Sequence, residues 1–282
     1  MRFLNVSRSS FYAASKAEPK KRAEKELVIS LVKKIREKHP KCGTVKTKAI
    51  LARQGHFIGR DKLNRYLAEY GMLQKCKCKR YNTSIPGVYG NEYVNHIKDL
   101  DVTHSNQVLC TDITYVLTTE GVVYLFAMMD MYSRKILSYH VSNDLRSDSA
   151  LKCLKGALKN IDKTEGIIHH SDRGCQYTSS QYLRHLRKKG MLPSFTGRNH
   201  CYDNAIMERV FNTIKHEYGL GGLLVSKKVA TGAIKNAVDL YNYDRPHQAL
   251  DLKTPSEVYD NQTVKINQSC GVQNEQGNNT KN

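Results

Sequence analysis

The sequence predicts an α/β protein, a mixed β-sheet flanked by helices, with a small all-helical basic domain in front of it. Three observations lead there. The charge is segregated: residues 1–80 hold 22 basic and 6 acidic residues, so most of the net charge of +19 lies in the first third. A β-branched, apolar block around residues 108–142 contains hairpin signals. After it, helical and extended patterns alternate, which calls for crossovers and parallel pairing.

In the first third, Leu27, Leu31 and Ile35, with Val28 and Val32 beside them, make an apolar stripe over Glu24–Lys38. Pro40 ends that helix. Thr44 suits the N-cap of a second helix running to Gln54, and Gly55–Gly59 forms a turn. A third helix, Arg60–Tyr70, carries Leu63, Tyr66, Leu67 and Tyr70 on one face and stops at Gly71. Helix, glycine turn, helix is the pattern of a helix-turn-helix. The outward positions are basic: Lys46, Lys48 and Arg53, then Arg60, Lys62 and Arg65. The plain alternative is a helical hairpin with solvated charges, but the local excess points to DNA. The basic region spans 1–74. Residues 75–104 read as a basic linker along a phosphate backbone, 105–260 as the α/β domain, and 261–282 as a disordered tail rich in Asn, Gln and Gly.

Within 105–260 the expected strands are Val108–Leu117, Val122–Met131, Lys135–Ser142 and Gly166–His170. The expected helices are Ser147–Asn160, Ser179–Lys189, Asp203–Tyr218 and Ser226–Tyr241, with a turn of helix at Pro255–Tyr259. The longest apolar run, Val122–Met129, is too short to cross a bilayer, so no membrane partner is expected. Eight cysteines without a secretory signal read as the reduced thiols of a cytoplasmic protein.

Asp112 lies inside an apolar strand, where an acid is costly unless it is paired or binds metal. Asp172 ends a strand, and Glu208 sits on a helix. If the two strands are neighbours and the helix crosses them, the three carboxylates can share a pocket. Such a cage would hold two divalent ions about 4 Å apart that act on phosphodiesters. Mg²⁺ suits it, with Mn²⁺ as an alternative, because a few carboxylates suffice and waters and phosphates complete the shell. Lys215 follows Glu208 by nearly two helical turns, on the same face, where a cation suits the neighbouring phosphate. Asn204 shares a face with Glu208 and could orient it or touch DNA.

Together, TDITY, HSDRGCQY, DNAIMERVFNTIKHE and YNYDRPHQALDLKTPSEVY resemble the motifs of the OrfB transposases of bacterial insertion sequences of the third family, relatives of retroviral integrases with a DDE core. The resemblance covers residues 24 to about 259. It implies a ribonuclease-H-like catalytic core, with Asp112, Asp172 and Glu208 as the metal-binding triad. It further implies DNA strand cleavage, a circular intermediate and insertion by transesterification. Element terminal repeats and target DNA are the implied partners, with a homo-oligomer on DNA, in the bacterial cytoplasm at the nucleoid. An upstream-frame DNA-binding protein, free or fused, is a further implied partner. Two positions depart from the pattern: Cys110 stands where Trp is frequent, and Cys175 where Ser or Thr is common.

Several residues keep two readings at this stage. Asp130 is the rival acid, otherwise a hydrogen-bonded turn residue. His169 and His170 are buried-strand histidines or acid–base groups. Arg245 and His247, in a loop, contact DNA or fix the loop. For the whole chain the alternative is an inactive DNA-binding regulator or relic of the same fold.

Overall fold

A computed structural model describes residues 8–74, 94–197 and 204–261. The chain forms two compact units, Met1–Cys78 and Lys79–Asn282. Most of the expected linker, 75–93, and nearly all of the expected tail, 262–282, lie outside the described residues.

The first unit has three helices: α1 (Arg8–Lys38), α2 (Thr44–Arg53) and α3 (Arg60–Glu69). α1 starts well before the expected Glu24 and passes through Pro19. The segment before residue 24 has helix formers but no apolar stripe, so periodicity alone misses it. The buried stripe is Val28, Ile29, Val32 and Ile35, while Leu27 is 53% exposed, so the face is turned by about one position. These residues pack on Ile50 and Leu51 of α2 and Leu63, Tyr66 and Leu67 of α3; Tyr70 stays exposed. Thr44 is the first helical residue rather than the cap, which is Gly43, and its hydroxyl donates to Asn64 Oδ1 at 2.7 Å. Gly55 turns the chain between α2 and α3 at φ +83°, a conformation that favours glycine.

The second unit is built on five strands: β1 (Val108–Thr118), β2 (Gly121–Asp130), β3 (Ile136–Ser142), β4 (Ile168–Ser171) and β5 (Leu192–Phe195). Their order is β3-β2-β1-β4-β5, with β1, β2 and β3 antiparallel and β1, β4 and β5 parallel. The sheet is therefore mixed, as expected, and β5 is an additional edge strand. Strand alternation divides the core. Val123, Leu125, Ala127 and Met129 point to one face, which α7 (Ala205–Glu217) and α8 (Lys227–Tyr243) cover. Phe126 and Met128 point to the other, covered by α4 (Ser147–Ala157), α5 (Cys175–Thr178) and α6 (Ser180–Lys188).

Residues 94–104, part of the expected linker, pack on this core: Ile97 is buried with Leu100 and Val102 beside it, and Phe195 N–H donates to Val94 O at 3.0 Å. The far end of the unit is tied in the same way. Asn242 donates to Ile136 O and accepts from Ile136 N–H, each at 2.9 Å. Tyr259 Oη donates to Asn106 Oδ1 at 2.9 Å, and Asn106 N–H donates to Asp130 Oδ1 at 2.7 Å. Among the described residues, no helix is long and apolar enough to cross a membrane.

Candidate active site

Parallel pairing puts the first two acids side by side. Cys110 is the partner of His170 in the β1/β4 register, and each acid lies two residues further along its chain. In extended chain that offset returns to the same face. β4 pairs with β1 only over Val108–Cys110, so a notch opens along β1 at Asp112. Asp112 Oδ1 accepts from Ile113 N–H at 2.8 Å, and Asp172 Oδ1 accepts from Gly174 N–H at 3.0 Å. A Cβ on Gly174 would lie 2.9 Å from Asp172 Oδ1, so glycine lets the loop close around that carboxylate.

Glu208 comes from α7, which buries Met207, Val210, Phe211 and Ile214 on the sheet and leaves Glu208 exposed in its first turn. Asn204 fixes the start of that helix. It is 6% exposed, and its Nδ2 donates to Thr111 O, beside Asp112, at 3.4 Å. Among the described residues its buried Oδ1 has no hydrogen-bond partner. Asn204 thus docks α7 on β1 through its amide nitrogen.

The electrostatics join these groups. Burial, then the Asp172 carboxylate and, more weakly, Glu208 push Asp112 up to about 7, and Lys215 opposes the shift. Burial also raises Asp172, against the Gly174 hydrogen bond. Lys215 is half-buried and lowered by burial, with Asp112 acting against it. Its Nζ lies 4.3 Å from the centroid of the Tyr115 ring. The three acids and the lysine therefore share one electrostatic environment. They do not form a closed cage: among the described residues no three His, Cys, Asp or Glu side chains are gathered closely enough to hold an ion.

The remaining candidates separate from this site. Asp130 is fully buried and accepts from Asn106 N–H, Ser133 N–H at 2.8 Å and Ser133 Oγ at 2.6 Å, as a turn acid does. His169 accepts or donates at Nε2 to Tyr182 Oη at 2.8 Å, and burial lowers it to about 3. His170 Nδ1 meets Ser194 Oγ at 3.0 Å. Arg245, expected at DNA in an exposed loop, is 7% exposed. Its Nε and Nη2 grip Glu217 at 2.8 Å each, and Nη1 meets His247 Nε2 at 3.1 Å. With Nε, Nη1 and Nη2 each engaged inside the fold and the residue itself buried, Arg245 fixes its loop. In the first unit Lys48, Arg60, Lys62 and Arg65 are exposed and Lys46 is half-exposed. Lys62 pairs with Glu24 at 2.6 Å and Arg60 with Asp61 at 3.1 Å.

Sequence reasoning missed Tyr115, Tyr177 and Gly174. Tyr177, on the turn after Asp172, is buried 3.3 Å from Thr111 Oγ1 and bridges the two acid-bearing segments. Both tyrosines stand in the quoted motifs, which was the available signal.

Comparison with known proteins places these residues in a family. Residues 102–201 match one integrase core domain model and residues 189–255 a second. Asp112 and Asp172 fall in the first match, Glu208 and Lys215 in the second. The chain is 31% identical over 262 residues to an uncharacterized 31 kDa protein of insertion element IS600 from Shigella sonnei, covering 90% of this chain and 94% of that protein. It is 29% identical over 243 residues to the transposase of insertion sequence element IS904 from Lactococcus lactis subsp. lactis (strain IL1403), covering 84% of this chain and 95% of that one. Among solved structures, the HTLV-2 integrase catalytic core domain in complex with magnesium (trimeric form) aligns with 55% of this chain and 96% of its own, at 15% identity and a TM-score of 0.44.

Proposed function

Because the chain belongs to the OrfB-type transposases of the IS3/IS150 family, which carry a retroviral-integrase-like DDE core, we propose that it cuts DNA strands at the ends of an insertion sequence and joins them to target DNA by metal-dependent transesterification. In this reading the mixed sheet is a ribonuclease-H-like core, and Asp112, Asp172 and Glu208 are its working acids. The observation that carries it is the common environment of Asp112, Asp172, Glu208 and Lys215.

The donor set fits a hard divalent cation. Burial and the carboxylates of Asp172 and Glu208 push Asp112 up to about 7, a strain that Mg²⁺ would relieve. The open arrangement also suits Mg²⁺, which takes only one or two carboxylates and draws other ligands from water and phosphate. When bound, the metal would supply Lewis-acid stabilisation of the attacking and leaving oxygens. Asp112 and Asp172 would present their carboxylates from adjacent strands, and Glu208 would close the site from α7. Lys215 would hold a phosphate beside the scissile bond. The Asn204–Thr111 hydrogen bond keeps α7, and with it Glu208, at the level of Asp112.

The helical first unit would bind the element ends through Lys46, Lys48, Arg60, Lys62 and Arg65, in the manner of a helix-turn-helix. Bringing both ends to one target calls for at least two copies, so the active form would be a homo-oligomer on DNA. The test is a joining assay with the element's ends in Mg²⁺, run with and without the upstream-frame product. Asp112→Asn, Asp172→Asn and Glu208→Gln should each abolish nicking and joining yet keep duplex binding. Full activity in any of these folded variants overturns the assignment.

A further inference from the structure

The near-balance of charge outside the first 80 residues conceals a second segregation. On the helical layer opposite α7, Lys152, Lys155 and Lys159 recur along α4 and its 3-10 extension, and Lys188 and Lys189 end the adjacent α6. All five are exposed, and among the described residues none forms an ion pair or a side-chain hydrogen bond. In the first unit, by contrast, Lys25, Lys62, Arg22 and Arg60 each have a carboxylate partner. The two helices pack together, which brings their cation rows into one layer. His185, on α6, feels cations of both helices. Burial lowers its pKa, and Lys155, Lys189 and Lys188 each lower it further. Asp162 and Glu165 stand in the connecting loop at the border of this surface.

We propose that this α4/α6 face is a second DNA-binding surface that holds duplex through its phosphate backbone, independently of sequence. Chemistry selects the partner. A protein interface needs an apolar or aromatic centre, and no large exposed hydrophobic residue lies on α4 or α6. Lysines without apolar anchors suit phosphates as point charges, and Arg184 and Arg187, exposed on α6, add to the same positive layer. The face lies across the sheet from α7, so the DNA held here is not the segment lying at Glu208. It is a further stretch of duplex, as a protein that joins two DNAs must hold. This inference rests on the DNA reading above but not on catalysis.

The test uses the full chain carrying Lys155→Gln, Lys159→Gln, Lys188→Gln and Lys189→Gln together, in EDTA, with thermal unfolding to verify the fold. Duplex affinity is measured across salt concentrations for an element end and for an unrelated duplex. Four lost phosphate contacts should make the log–log salt slope shallower by roughly three to four and weaken both duplexes equally. The pair Lys228→Gln and Lys235→Gln, on exposed positions of α8, is the control. A slope unchanged relative to that control, on a wild type that binds DNA, overturns the surface alone. A loss confined to the element end overturns the backbone reading. Unchanged DNA binding with weakened binding of polyglutamate assigns the face to an acidic protein instead. A wild type that binds no duplex removes both this inference and the function proposed above.

Discussion

Lys215 Nζ lies 4.3 Å from the centroid of the Tyr115 ring, and the same ammonium opposes the upward shift of Asp112. The ring holds a half-buried cation beside an acid without neutralising it, as cation–π contact does. That leaves the charge available to a phosphate. Lys215→Ala should lower joint products about tenfold to a hundredfold, since a charge-assisted hydrogen bond contributes roughly 1.5–3 kcal/mol. Lys215→Arg should restore part of the loss. Joint-product yield against Lys228→Ala decides, and equal yields would make Lys215 an ordinary solvated lysine.

Asp112 should make the fold depend on pH in an unusual direction. Its carboxyl rises from an ordinary value of 3.8 to about 7 in the folded protein. The folded state therefore holds that proton more tightly. Its stabilising contribution is complete below about pH 4 and is lost as pH rises through 7. Asp112→Asn should unfold at a higher temperature than wild type at pH 8 without metal, with the difference vanishing near pH 4. Added Mg²⁺ should raise the wild-type midpoint more than that of the variant. Thermal unfolding over pH 4–8, with and without Mg²⁺, measures both effects.

Gly174→Ala should separate activity from stability. The backbone at Gly174 is ordinary, but the new methyl would meet Asp172 Oδ1 and Gln176 Oε1 at 2.9 Å each. Side-chain ends move cheaply, so the melting temperature should change little. The part that moves is a proposed metal ligand, and a displacement of about 1 Å costs on the order of a hundredfold in rate. Nicking rate and melting temperature measured on one preparation test this, and normal nicking would show that Asp172 tolerates the shift.

Arg245, buried, and Glu217, largely covered, form an ion pair of the second unit. Arg245→Ala should cost roughly 3–5 kcal/mol, because it strands the Glu217 carboxylate. Replacing both, as Arg245→Met with Glu217→Leu, should recover most of that. Urea unfolding of the three proteins tests the pair. Duplex affinity of the folded double variant should match wild type, and a loss there would return Arg245 to the DNA.

Local pattern singled out the three candidate acids and predicted most of the sheet, because β1 and β2 are long and their alternation is regular. It was least informative where distant contacts decide. β5 is four residues with Pro193 inside, and proline in a strand is tolerated at a sheet edge, a position that only the topology reveals. Arg245 looked exposed because its partner, Glu217, lies 28 residues earlier in the chain. Tyr115 is three residues from Asp112, and strand alternation sets the two on opposite faces. The early end of β4 opens the edge that brings Lys215 within reach of both.

The Tyr259–Asn106–Asp130 linkage has a meaning at the level of the gene. The last acid of the proposed triad is encoded about fifty codons before the tyrosine that supports the entrance to β1. A nonsense or frameshift change in that interval beyond Tyr243, the end of α8, would leave the codons of the three acids and of Lys215 intact, yet the product would lack the hydrogen bond that steadies the start of the first acid's strand. Such alleles should behave as null for transposition. An inventory of motifs would score them as functional, so copies of the element are better judged by whether the reading frame continues past Tyr259.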